Sequence, residues 1–220
     1  MTEMLSPIPL PTVHVIDDDA SMRAAIVSLL RSVGMTVEAH ADAETFLQRR
    51  PLAGPTCLVL DVRLPGPDGL DLQAQLNRLG EDLPIVFVTG HGTIPMTVRA
   101  MRAGAVEFLT KPFADGELIR AVQMALERDA TAWAARQELK ALRERYAQLS
   151  PRERQVFALV VAGRLNKVAA AELGVTEITV KVHRRHIMDK LQLRTVADLV
   201  RAAERLGVPV PSRDGGYTKV

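Results

Sequence analysis

The chain has 220 residues, 47% of them hydrophobic and 25% charged, which suits two modest water-soluble globular domains. No apolar run reaches the ~18 residues of a membrane span, and the proline-rich start, residues 1–11, lacks the basic region of a secretory signal. The single cysteine, Cys57, excludes an internal disulfide and fits a cytoplasmic protein with no membrane partner. The net charge of +2 hides an asymmetry: residues 1–129 carry 11 Lys/Arg against 17 Asp/Glu, whereas residues 150–220 carry 13 against 7. Such a split suggests an acidic module joined to one that binds a polyanion, or chance variation.

Residues 12–16 form a short apolar run ending in Asp17, Asp18 and Asp19, and read as a buried parallel strand. A helix follows over 22–33, with Ile26, Leu29, Leu30 and Val33 on one stripe. Residues 36–39 make a weaker strand and 43–49 a helix. The run 57–61 is a strand ending in Asp61, and 70–79 a helix. Strand 85–89 ends in Thr89, helix 94–103 follows, and strand 107–110 leads into Lys111-Pro112. This alternation predicts an α/β doubly wound five-stranded parallel sheet, order 2-1-3-4-5, with helices on both faces.

Ligands of such sheets bind beyond the carboxyl ends of the strands. Asp17, Asp18 and Asp61 then converge on one pocket. Converging carboxylates repel and call for a cation. Mg²⁺ takes one or two carboxylates together with water and phosphate oxygens. Lys111 offers a point charge and Thr89 a hydroxyl, so the set can position a transferring phosphoryl group, with Asp61 as nucleophile. Taken singly, an Asp at a strand end is more often a turn or cap residue and Lys111 a solvated loop charge; their weight comes from sharing one sheet edge.

Residues 12–128 resemble the receiver domain of bacterial two-component systems. The segments that carry the resemblance are V-H-V-I-D-D-D, L-V-L-D-V-R-L-P-G-P-D-G, I-V-F-V-T-G-H-G and A-V-E-F-L-T-K-P-F. It implies that Asp61 accepts a phosphoryl group from a sensor histidine kinase. It also implies that Asp18, Asp61 and the backbone carbonyl of Arg63 hold Mg²⁺, with Asp17 acting through water. Phe108 stands at the aromatic switch position, and Lys111-Pro112 is expected to be cis. Asp19 is an added acid, either solvated or capping the first helix.

From Gly116 to Leu149 there is neither proline nor further glycine. Leu118, Val122 and Ala125 suit packing on the receiver. Ala132, Ala135, Leu139, Leu142, Tyr146 and Leu149 then recur at heptad spacing, which fits either a helix packed on its own chain or a short coiled coil between subunits. Residues 129–148 are read as a helical linker.

Ser150-Pro151-Arg152-Glu153 is a strong helix start. Helices are predicted over 151–162, 166–173 and 177–191, and a fourth from Thr195, with Asp198 boxing its start, to near Gly207. The second and third form a helix-turn-helix around Gly174-Val175. Val180, Ile187 and Leu191 share a core stripe; Lys181, Arg184, Arg185 and Met188 lie on another face, which is either solvated or read against DNA. The segment 149–206 resembles the LuxR-type helix-turn-helix through L-S-P-R-E-R-Q-V, V-A-G-R-L-N-K and G-V-T-E-I-T-V-K-V-H-R-R-H-I-M-D-K-L. The resemblance places Lys181, Val182 and Arg185 at base edges and Asn166, Lys167 and Arg184 near phosphates. Ala169 stands where that family often carries isoleucine, which puts the second helix in question.

Receiver (12–128) plus LuxR-type domain (149–208) is the layout of the FixJ-like response regulators. It implies a transcription regulator, not an enzyme, that dimerises when phosphorylated, binds promoter DNA and works with RNA polymerase. Phe108 is expected to turn inward as Thr89 and Lys111 move toward the phosphoryl group. A receiver that is only a phosphorylation-independent dimerisation platform is the alternative. A phosphatase reading from Asp17-x-Asp19-x-Ser21 fails because no acidic pair follows Thr89. The tail, 209–220, gives no functional signal and is expected to be disordered.

Overall fold

The computed structural model describes residues 9–49, 52–211 and 217–219. The chain divides into two compact units, Met1–Ala134 and Ala135–Val220.

In the first unit β1 (Thr12–Ile16), β2 (Thr36–His40), β3 (Thr56–Asp61), β4 (Ile85–Thr89) and β5 (Glu107–Thr110) form one sheet of order β2-β1-β3-β4-β5. Every pairing in it is parallel. The helices are α1 (Ala20–Ser32), α2 (Ala43–Leu47), α3 (Gly69–Arg78), α4 (Ile94–Arg102) and α5 (Asp115–Ala147), whose residues from Ala135 on belong to the second unit. Strands β3 and β4 are buried throughout, so they read as continuous apolar runs.

Side chains of period two divide between two cores. Ile16, Leu58, Leu60 and Phe87 pack with Phe46 of α2, Leu72 and Leu76 of α3 and Ala100 of α4. Val13, Val15, Cys57, Val59, Val86 and Val88 pack with Ile26 and Leu30 of α1 and with Leu118, Val122 and Ala125 of α5. Asp129 of α5 accepts the N–H of Thr56 at 2.7 Å, which satisfies the first donor of β3 inside the protein. Asp19 resolves as the α1 cap, accepting from the N–H groups of Ser21 and Met22.

The second unit holds α6 (Pro151–Val161), α7 (Asn166–Leu173), α8 (Glu177–Leu191) and α9 (Val196–Leu206). Ser150 and Thr195 close full capping boxes with Glu153 and Asp198. Gly174 ends α7 in the left-handed region, at φ 66°, where a Cβ would be strained. Ala169 is fully buried within a formed α7, so the smaller side chain is accommodated without loss of the helix. Val156, Phe157, Val180, Ile187, Leu191 and Leu199 build the core.

Leu142, Tyr146 and Leu149 join this core. The second half of the heptad seam therefore packs on its own chain, while Ala135 in the first half is exposed. Within the tail expected to be disordered, β6 (Pro209–Pro211) pairs antiparallel with β7 (Tyr217–Lys219). The rest of that tail, 212–216 and 220, lies outside the described residues.

Candidate functional site

The sheet order places the ends of β1 and β3 side by side. Asp17 follows β1 and is fully buried; Asp61 ends β3 and is 7% exposed. One carboxylate oxygen from each of Asp17, Asp18 and Asp61 lies within 4.8 Å of the other two. Lys111, just beyond β5, reaches across the sheet edge. Its ammonium donates to Oδ2 of Asp17 at 2.7 Å and to Oδ2 of Asp61 at 2.8 Å. The other oxygens are also engaged: Asp61 Oδ1 accepts from the N–H of Arg63 at 3.0 Å, and Asp17 Oδ1 from the N–H of Asp19 at 2.9 Å.

Burial pushes the Asp17 carboxyl above its usual range, with Lys111 pulling partly against that. For Lys111, burial favours the neutral amine, but hydrogen bonds and attraction from Asp17 and Asp61 outweigh it and hold the ammonium above its ordinary value. Among the described residues, Lys111 is ion-paired with Asp17 and Asp61, while the Arg23 guanidinium donates to the backbone carbonyls of Asp17 and Asp18. A hard divalent ion suits this all-oxygen donor set, which is short of positive charge.

Thr89, at the end of β4, is 1% exposed, and its Oγ1 accepts from the N–H of His91 at 3.3 Å. Its carbonyl accepts the N–H of Lys111 at 2.8 Å, so the two residues are tied through the backbone. The Lys111-Pro112 bond is cis. Phe108 is packed inward, 9% exposed, with its ring 5.9 Å from that of Phe87.

Two glycines missing from the sequence reading shape the pocket. A Cβ on Gly69 would collide with the backbone carbonyl of Asp61. A Cβ on Gly92 would stand 2.9 Å from Thr110 Cγ2 and 3.0 Å from Phe108 Cε1. The signals available were the second glycine of G-P-D-G and that of T-G-H-G, but only the fold shows what each approaches.

The second unit presents the other predicted set. Lys181, Val182 and Arg185 are exposed on α8, while Val180, Ile187 and Leu191 face the core. Arg184 donates to Asn166 Oδ1 at 2.7 Å, linking α8 to the first turn of α7, and Lys167 beside it is exposed. Met188 instead lies half-buried against the core. Leu165, Val168 and Ile178 are also exposed. The helix-turn-helix thus exposes apolar side chains as well as cationic ones.

Comparison with known proteins finds a family for each unit. The response regulator receiver domain model matches residues 13–123, and the model for bacterial regulatory proteins of the luxR family matches 147–203. The chain belongs to the FixJ-like response regulators. Nodulation protein W of Bradyrhizobium diazoefficiens is 52% identical over 196 residues, covering 89% of this chain and 86% of that protein. Transcriptional regulatory protein FixJ of the same organism is 40% identical over 196 residues, covering 89% and 96%. The solved structure of the response regulator StyR superposes with a TM-score of 0.79 at 48% identity, covering 90% of this chain and 100% of that one. This response regulator is a two-component transcription regulator, with a receiver that implies a kinase partner and a LuxR-type domain that binds DNA. Among the described residues, no helix is long and apolar enough to cross a membrane.

Proposed function

We propose that Asp61 is the phosphoryl acceptor of this regulator and that its phosphorylation by a sensor histidine kinase controls promoter binding. The observation that carries this reading is the Lys111 ammonium shared between Asp17 and Asp61 at 2.7 and 2.8 Å. In the transfer, a carboxylate oxygen of Asp61 attacks phosphorus, the bond from phosphorus to the donor breaks, and the leaving group takes up a proton. Lys111 moves its charge from the carboxylates to a phosphoryl oxygen, and the Thr89 hydroxyl donates to another. Asp18, Asp61 and the Arg63 carbonyl would hold Mg²⁺, with Asp17 acting through water. When bound, the ion supplies positive charge against the carboxylates and the transferring oxygens.

The domain assignment is a receiver over 12–128, a helical linker over 129–148 and a DNA-binding domain over 149–208. Lys181, Val182 and Arg185 read base edges, and Asn166, Lys167 and Arg184 grip phosphates. The phosphorylated protein pairs as a homodimer on promoter DNA in the cytoplasm and acts there with RNA polymerase. Asp61→Asn tests the acceptor: acetyl phosphate should label the native chain and not the variant, and equal labelling refutes the assignment.

In a second reading the DNA-binding domain is kept and the receiver serves as a phosphorylation-independent dimerisation platform. Gel filtration with and without beryllofluoride separates the two. A shift to dimer supports control by phosphorylation; an unchanged oligomeric state supports the platform.

A further inference from the structure

A second cluster of ligating side chains lies at the sheet edge formed by β1 and β2. The parallel register pairs His14 with Glu38 and Ile16 with His40. Period two sends all four side chains to one face, the face on which Ile16 and Phe46 pack. His14 and His40 are 4% and 6% exposed. His14 Nδ1 and His40 Nε2 stand 3.0 Å apart. Phe46 lies edge-on to both rings, at centroid distances of 5.3 and 5.7 Å. One ligand atom from each of His14, Glu38 and His40 lies within 4.8 Å of the other two.

An apolar core face favours aliphatic or phenyl side chains at such positions. Two imidazoles there lose hydration and gain one mutual hydrogen bond. At a Zn–N length of ~2.0–2.1 Å, two ligands of a tetrahedral ion stand about 3.3 Å apart, close to the separation of these nitrogens. The carboxylate of Glu38 is engaged through Oε2, which meets Nε of Arg49 at 3.1 Å and Nη2 at 3.0 Å. The Arg49 side chain is 62% exposed, so the pair can open into water at little cost.

We propose that His14, Glu38 and His40 form a binding site for a borderline transition-metal ion, Zn²⁺ foremost, completed by a water. Two nitrogens and one oxygen select such an ion over Mg²⁺, in contrast to the all-oxygen pocket around Asp61. The two sites share a strand end: the His40 carbonyl accepts the N–H of Asp17 at 3.3 Å. An ion at the edge would bind β2 to β1 through side chains as well as through the ladder.

The test uses tag-free full-length protein with Co²⁺ as a visible probe and excess Mg²⁺ to saturate the carboxylate pocket. The expected result is one equivalent of tetrahedral Co²⁺ absorption, displaced by Zn²⁺. His14→Gln and His40→Gln should abolish it. Glu38→Gln should weaken Co²⁺ binding at least ~10-fold, the lower bound of what even an outer partner of a metal contributes. Absence of the band in the native protein overturns the proposal. A band that survives in both histidine variants also overturns it, since His91, His183 or His186 would then be the ligands. If the histidine variants fail to fold, Glu38→Gln decides alone: its side chain is 37% exposed, and unchanged affinity in that variant rejects the site.

Discussion

The Lys111 ammonium stands 2.8 Å from Oδ2 of Asp61, 50 residues away in the chain, and the same nitrogen holds Asp17 at 2.7 Å. This one cation offsets two buried acids. Its release is what any new charge at Asp61 must compete for or exploit.

Replacing Lys111 by Met leaves those acids unpaired. In Mg²⁺-free buffer the receiver should lose on the order of 2–4 kcal/mol of unfolding free energy in urea melts. Added Mg²⁺ should stabilise Lys111→Met more than the native chain, because the ion replaces the missing charge. Equal Mg²⁺ increments in the two proteins would refute this account of the pocket.

Gly69 begins α3 directly against the Asp61 carbonyl. Gly69→Ala forces the helix start away from the strand end, at an expected cost of roughly 1–3 kcal/mol. It should also slow acetyl phosphate labelling of Asp61. Denaturant melts and labelling rates measure the two effects separately, and a neutral result in both would mean that the α3 start yields freely.

Arg185 and Arg184 are neighbours with different surroundings. The Arg185 side chain is 84% exposed, with Asp189 3.9 Å away, whereas Arg184 is bound to Asn166 at 2.7 Å. Arg185→Ala should leave the melting temperature unchanged and weaken binding to a duplex selected by the native protein by about 1–3 kcal/mol, at least fivefold in anisotropy titrations. Arg184→Ala should weaken binding and also lower stability, since it unties α7 from α8.

The α9 capping box carries a pH dependence. Hydrogen bonds from Thr195 and then Arg201 hold the Asp198 carboxyl down to about 2. Its folded value lies below the unfolded value of about 3.9, so its contribution is present above about pH 4 and lost as pH falls toward 2. Asp198→Asn should remove that part of the acid dependence. Thermal melts of both proteins between pH 5 and 2 measure it.

Much of the site was legible because strand ends announce themselves. An apolar run that stops at Asp17 or Asp61 is local information, and the parallel order follows from the alternation of elements. The helix caps at Ser150, Thr176 and Thr195 were equally local. Phe108 was harder to read, because whether its ring stands in or out depends on Phe87 and on the missing Cβ of Gly92, neither of which is near it in sequence. Met188 shared a helical face with Arg184 on paper, yet the core of the second unit claims it.

By itself, the sequence determined the two modules, the strand-end acids, the cationic face of α8 and the caps, since each depends on periodicity or on residues a few positions apart. Tertiary structure alone decided that one Lys111 nitrogen bridges Asp17 and Asp61, that Gly69 must yield space to a carbonyl, and that His14 meets His40 across the β1–β2 edge. These are contacts between residues far apart along the chain, fixed by sheet register and packing, and no local pattern carries their distances.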